Sequence, residues 1–175
     1  MRILHVITGL GKAAGTSTFC GEICNRLAAR GHDVTIAVCN PAAPDIYPLD
    51  ERVKLVSIEF VLHSSTLHSN YDIIHIHGLW SFCLHKIVKK IYTPLIWSTH
   101  GMTAPWAMRH KWWKKLLPWY LYQKRDLQRA QLIHCTSDFE VEWNRALGFK
   151  RCFITPLGTS LPTKVEVGSR SRTKE

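Results

Sequence analysis

Short apolar runs alternating with amphipathic stretches restrict this fold more than any other feature. Seven runs rich in Val, Ile and Leu recur along the chain: Arg2 to Thr8, Asp33 to Cys39, Val53 to Ile58, Asp72 to His77, Pro94 to Thr99, Gln131 to Cys135, and Cys152 to Thr155. Most are nearly all apolar, as strands are when both faces of their sheet are covered. Helical patterns stand between them. Phe19, Ile23, Leu27 and Ala28 recur at helical spacing, with Ser17 or Thr18 placed to cap that helix and Gly31 placed to end it. Leu79 to Tyr92 suits a helix, and Lys111 to Ala130 a long one bent near Pro118. Ser137 opens another, with Glu140 completing a capping box. The alternation predicts an α/β fold: a Rossmann-like, doubly wound, mostly parallel sheet with helices on both faces.

The 175 residues suffice for one well-cored domain and are too few for two ordinary ones. That domain is expected over residues 1–161. Residues 162–175 are polar, lack periodicity, and read as a disordered tail or a severed interdomain linker. No apolar run approaches the ~20 residues that cross a bilayer, and the first strand is too short for a signal-peptide core. A cytoplasmic chain without its own anchor is expected. The six cysteines are scattered without a C-x-x-C pair and are expected to be unpaired core residues in a reducing compartment. The formal net charge of +10 favours anionic partners.

In this fold class ligands bind beyond the C-terminal ends of the strands. The Gly9–Thr16 loop, His77-Gly78 and His100-Gly101 should therefore converge in one crevice. Gly9, Gly11 and Gly15 do not give G-x-G-x-x-G, and Cys39-Asn40 stands where a dinucleotide site needs an acid for the ribose. A nicotinamide cofactor is therefore rejected. The P-loop pattern fails too, because Ala13 follows Gly11-Lys12 where Ser or Thr is required. Two readings remain: a generic phosphate loop, or a loop that only turns the chain. His75 and His77 point to one side of their strand. No third ligand is evident beside them, so no metal is expected; His75 reads as a hydrogen-bonded core residue and His77 as lining the acceptor side.

Four stretches together resemble the N-terminal domain of family 4 (group 1) glycosyltransferases of the GT-B fold. They are Arg2-Ile3-Leu4-His5-Val6 with Ala14-Gly15-Thr16 and Leu27 to Val34; Tyr71 to Trp80; Pro94 to Met102; and Ala130 through Ser137 and Leu147-Gly148-Phe149 to Thr159. The resemblance implies two Rossmann-like domains facing across a cleft. The N-terminal one mainly holds the acceptor and the C-terminal one most of a nucleotide-sugar donor. It implies that a glycine pair after the first strand approaches the donor diphosphate. Here that pair is Ala14-Gly15, so Gly15 carries over, with Thr16 beside it. It places His100 near the transferred sugar, in a positioning role, with His77, Gly78 and Gly101 on the substrate side. The implied reaction moves a sugar from a nucleotide-sugar to a glycan or lipid-linked acceptor, in polysaccharide or cell-envelope assembly, with no cofactor. The family's Glu-x7-Glu pair does not follow Pro156, so a separate or missing C-terminal donor domain is expected. A non-catalytic acceptor-binding module and an inactive remnant stay open as alternatives.

Trp106 to Arg129 concentrates Trp, Tyr, Lys and Arg. One reading is a core helix with a solvated basic face. Another is a bilayer-interface patch that holds the chain peripherally on the inner face of an anionic membrane. Nucleic acid would suit the same composition, but is not an expected partner.

Overall fold

The structure, a computed structural model, describes residues 1–11, 14–40, 46–63 and 70–156. The expected boundary at residue 161 and the tail beyond it lie outside the described residues. The strands are β1 (Arg2–Ile7), β2 (Asp33–Val38), β3 (Lys54–Ser57), β4 (Ile73–His77), β5 (Leu95–Ser98), β6 (Leu132–Cys135) and β7 (Cys152–Ile154). The helices are α1 (Gly15–Ala29), α2 (Ile58–His63), α3 (Phe82–Val88), α4 (Pro105–Arg109), α5 (Trp112–Pro118), α6 (Lys124–Arg129) and α7 (Asp138–Ala146), with a π-helical turn Trp119–Gln123 joining α5 to α6. All seven strands form one sheet in the order β3-β2-β1-β4-β5-β6-β7. Every neighbouring pair is parallel. The chain runs outward from β1 to β3, then returns to the other side of β1 at β4. The strand order therefore switches between β1 and β4, where a parallel sheet opens a crevice at its C-terminal edge.

Side-chain alternation gives the sheet two different faces. Leu4, Val6, Ala37, Ile74, Ile76, Leu95, Trp97, Ile133 and Cys135 face one way and pack with Ile58 and Val61 of α2, Leu84 and Ile87 of α3, Leu127 of α6 and Val141 of α7. On the other face Ile7, Val34, Ile36 and Val38 pack with Cys20, Cys24 and Ala28 of α1. There α1 covers β1 and β2. Farther across the same face, Ile73, His75, Ile96, His134 and Phe153 line a groove of about 510 Å³ beside Phe19, Ile23 and Leu27. His5, His75, His77 and His134 all belong to this α1 face.

Several boundaries differ from the sequence expectation for local reasons. α1 begins at Gly15, with Ala14 in the N-cap position. Ser17 does not cap it; its hydroxyl donates to the Gly9 carbonyl at 3.1 Å and stitches the helix to the loop. α3 starts at Phe82, three residues later than expected, because Trp80 has φ 68 and cannot continue a right-handed helix. The long aromatic helix does run from Trp112 to Arg129. Pro118 has no N–H to bond back one turn, and just beyond it the Lys124 amide reaches the Trp119 carbonyl five residues earlier, which makes the π turn. Cys39 and Cys83 are paired as a disulfide, with Cα atoms 6.2 Å apart. The expectation that every cysteine is unpaired fails at this pair, because residues 44 apart in sequence meet at the same edge of the sheet. Cys20, Cys24, Cys135 and Cys152 are free.

Candidate functional site

The crevice is built by the loops after β1, β4, β5 and β6. On the β1 side it receives the N-terminus of α1. Gly15 and Thr16 are the first residues of this 15-residue helix, and its first turn carries no acid. The opening N–H groups of a helix have no intrahelical acceptor, and the helix dipole adds to their positive character. A Cβ built on Gly15 meets nothing within 4 Å, so internal packing does not require glycine there.

On the β4 side, Gly78 follows His77 with φ 87, in the left-handed region that favours glycine. Its backbone is fixed at both ends. The Gly78 amide donates to the Ser98 carbonyl at 3.0 Å, and the buried Trp97 indole donates to the Gly78 carbonyl at 2.8 Å. His100 and Gly101, after β5, also have positive φ, 50 and 71. A left-handed histidine is held only where its surroundings impose it.

Glu140 imposes it. This carboxylate in the first turn of α7 is 1% exposed. One oxygen accepts from the Thr99 hydroxyl at 2.6 Å and the Gly101 amide at 2.7 Å. The other accepts from the Thr136 amide at 2.8 Å and the Thr136 hydroxyl at 3.0 Å. Burial opposes its ionisation. The bonds from Gly101, Thr99 and Thr136 outweigh that and hold the carboxyl below its ordinary range. The sequence reading expected Glu140 in a capping box. Ser137 does accept from the Glu140 amide, at 3.4 Å, but the carboxylate clamps the β5 and β6 loops. The available signal was an acid at the third helical position, which both roles share.

The histidines form a connected chain behind this surface. His100 Nε2 lies 3.1 Å from His77 Nδ1, and His77 Nε2 lies 2.9 Å from His5 Nδ1. His77 is 1% exposed, so it meets the crevice only through His100 and does not itself line it. His75 Nε2 pairs with the Ser98 hydroxyl at 2.7 Å, and that hydroxyl pairs with His134 Nδ1 at 2.7 Å. Phe19, one turn into α1, packs edge-on to His100 with ring centroids 5.2 Å apart. α1 therefore packs against His100 one turn beyond its start. Burial pushes the His100 imidazole down to about 4, against the upward pull of Glu140. It is neutral near pH 7.

With all three rings neutral, the His5–His77–His100 chain would have two tautomer sets. If protons point from His100 toward His5, the last N–H is His5 Nε2–H, and that buried atom has no partner. If they point from His5 toward His100, His5 keeps a bare lone pair and His100 presents Nδ1–H at the crevice. A buried orphan N–H is the costlier of the two. The geometry therefore favours His100 as a donor at the site.

The sequence profile of glycosyltransferase family 4 matches residues 13–161. The chain belongs to glycosyltransferase family 4. No curated protein sequence matches it. Among solved structures, this family 4 chain is similar to sucrose-phosphate synthase from Thermosynechococcus elongatus, with a TM-score of 0.63 at 16% identity over 91% of this chain and 49% of that one. It is also similar to a putative UDP-N-acetylglucosamine 2-epimerase from Listeria monocytogenes, with a TM-score of 0.54 at 14% identity over 88% and 44%. The chain thus spans about half the length of these structures. At such identities the likeness is one of fold, and that fold is the expected Rossmann-like domain of GT-B glycosyltransferases.

The aromatic segment lies on the surface. α5 buries no residue. Trp106, Trp112, Trp113, Leu117, Tyr120 and Leu121 are between 59% and 72% exposed. Trp119 and Tyr122 alone of the segment's aromatic rings turn partly inward. Six Lys and Arg and no acid lie between Ala104 and Arg125. A core helix whose aromatics pack on the sheet is not what the fold builds here. Among the described residues no helix is long and apolar enough to cross a membrane.

Proposed function

We propose that this chain is the acceptor-side half of a sugar transferase. It acts with a donor-binding GT-B domain, carried on the same polypeptide or on a partner chain. The reaction moves a sugar from a nucleotide-sugar to a glycan or lipid-linked acceptor in polysaccharide or cell-envelope assembly. The C1–O bond to the diphosphate breaks, a C1–O bond to the acceptor hydroxyl forms, and the hydroxyl proton is released. Negative charge grows on the leaving diphosphate. The α1 N-terminus at Gly15 and Thr16 faces that charge with unpaired N–H groups, and the Nδ1–H of His100 donates beside it. Gly78 and Gly101 keep the acceptor wall low enough for close approach. No metal or organic cofactor takes part in this step. The observation that carries the reading is the packing of α1, whose first turn holds no acid, against His100 in a chain of family 4.

The exposed aromatic and basic face supplies the acceptor's location. Indole rings at headgroup depth with flanking Lys and Arg suit an anionic bilayer surface, on which a lipid-linked acceptor is presented. In this reading the protein works peripherally on a membrane, at the inner face when the chain is cytoplasmic.

The test is transfer from a panel of UDP- and GDP-sugars to lipid-linked acceptors, on vesicles with and without phosphatidylglycerol, with a family 4 donor domain supplied. Turnover is expected only with both halves present and only on anionic vesicles. His100→Ala should lower kcat/KM about 100-fold, as losing one positioned donor does. An unchanged rate removes His100 from the site. Acceptor binding with no transfer under any combination identifies a binding module and refutes the transferase reading.

A further inference from the structure

We propose that His5, Cys20 and His77 form a buried site for a zinc-type metal ion, which ties α1 to β1 and β4 beneath the crevice. The sequence reading set metal aside because His75 and His77 lacked a third ligand. The fold brings two ligands from other elements to His77, while His75 pairs with Ser98. His5 comes from β1, in register with His75 of β4. Cys20 comes from the buried face of α1. One donor atom from each of His5, Cys20 and His77 lies within 4.8 Å of the others. All three residues are 1% exposed or less. Around a tetrahedral ion with bonds of about 2.0–2.3 Å, donor atoms sit roughly 3.3–3.8 Å apart. Side-chain shifts of about 1 Å therefore close the set.

The chemistry of the set selects the ion. Two imidazoles and a thiol are borderline-to-soft donors and suit zinc. The trio has no carboxylate, which disfavours calcium and magnesium. A second observation points the same way. Among the described residues, His5 Nε2 is buried without a hydrogen-bond partner, in a cluster that already holds a thiol. Buried polar atoms are nearly always satisfied, and an ion is one of the few explanations for an exception. Support around the trio is also present. His77 bonds His100 through Nδ1, the kind of outer partner that ligating histidines usually have, and a metal on Nε2 would replace the 2.9 Å contact that this nitrogen makes with His5 Nδ1. Metal on His77 Nε2 requires the proton on Nδ1, so His100 receives the same hydrogen bond as in the metal-free relay. The inference is thus independent of the transfer reaction proposed above.

The experiment is titration of the full chain, stripped with chelator under reducing conditions, with Co²⁺ and then Zn²⁺. A thiolate-to-cobalt band in the near ultraviolet is expected, with visible bands of a tetrahedral ion, saturating at one ion per chain and displaced by Zn²⁺. Cys20→Ala should abolish the near-ultraviolet band. Cys152→Ala, at a free thiol on β7, should keep it. His5→Gln should keep the thiolate band and weaken binding at least tenfold. If Cys20→Ala does not fold, as judged by far-UV circular dichroism, the wild-type stoichiometry and the His5→Gln titration still decide. Absence of saturable one-to-one binding in the wild type overturns the proposal. So does a thiolate band that persists in folded Cys20→Ala, or an unchanged affinity in folded His5→Gln.

Discussion

Replacing Glu140 by Gln should be the most damaging single-atom change in the crevice wall. The carboxylate presents two oxygens to four donors: Thr99 Oγ, the Gly101 amide, the Thr136 amide and Thr136 Oγ. Glutamine turns one oxygen into an NH₂ group. Either way round, that NH₂ faces one backbone N–H and one hydroxyl. The hydroxyl can rotate and accept; the backbone N–H cannot. One bond to a charged acceptor is lost, about 1.5–3 kcal/mol, and a buried donor is left without a partner, about 1–3 kcal/mol. The sum is about 2.5–6 kcal/mol, a large share of the ~5–15 kcal/mol that holds a typical domain. With a urea m-value of about 2 kcal/mol/M, the unfolding midpoint should fall by about 1.3–3 M. The exposed neighbour Glu142→Gln should stay within ~0.5 kcal/mol. The effect carries a pH signature. The folded Glu140 carboxyl lies below its ordinary 4.5. Below that value the unfolded chain takes up a proton that the folded chain refuses, so stability falls with pH. The wild-type advantage over Glu140→Gln is therefore full above about 4.5 and shrinks as pH drops through the folded value. A loss under 1 kcal/mol at pH 7, or a difference flat from pH 7 to 3.5, would show that Glu140 is not the clamp.

Two further substitutions test other joints of the frame by urea unfolding. A Cβ on Gly21 would stand 2.1 Å from Tyr47 Cδ1, so Gly21→Ala should destabilise by about 1–3 kcal/mol despite its better helix propensity, and should become neutral or favourable in a Tyr47→Ala background. Arg129 donates to the carbonyls of Val88 and Ile91 at the end of α3, so Arg129→Met should cost about 2 kcal/mol and Arg129→Lys less; equal losses would mean that the guanidinium fork is irrelevant.

Much of the frame is readable from alternation alone. Residues 3, 5 and 7 share a face of β1, and 73, 75 and 77 share a face of β4, so period-two counting already groups His75 with His77. The glycines at 31, 78, 101 and 148 all sit at positive φ, where loop chemistry puts them. What sequence cannot carry is register and meeting distance. That Leu4 pairs with Ile74, which places His5 beside His75, is a property of sheet assembly. The same holds for Cys39 meeting Cys83. Helix ends were misjudged where one residue departs from local preference. Trp80 at φ 68 and Lys111 at φ 48 are left-handed without being glycine. Tertiary bonds hold the first, since the Trp80 amide donates to Gln123 Oε1 at 2.8 Å. The aromatic segment is a different failure. Composition could not tell a packed helix from an exposed one, because both use the same residues, and only the absence of acids favoured the second.

The clamp also resolves a difficulty in the chemistry. A carboxylate beside an intended diphosphate site would repel the ligand, and Glu140 lies close enough to raise the His100 pKa. Its lone pairs, however, are all taken by donors that belong to the loops it holds. As the third residue of α7 it also sits against the positive end of that helix. The negative charge is thus spent inside the wall. In the proposed function the wall turns the opposite polarity outward, through the N–H of His100 and the uncapped, acid-free start of α1. The same ion that would be a poor neighbour for phosphate as a free surface group becomes, once saturated, the reason the loop bearing His100 holds its left-handed turn. Attraction for an anion then depends on α1 and His100 together. Removing either should weaken diphosphate binding more than removing any single lysine of the basic face.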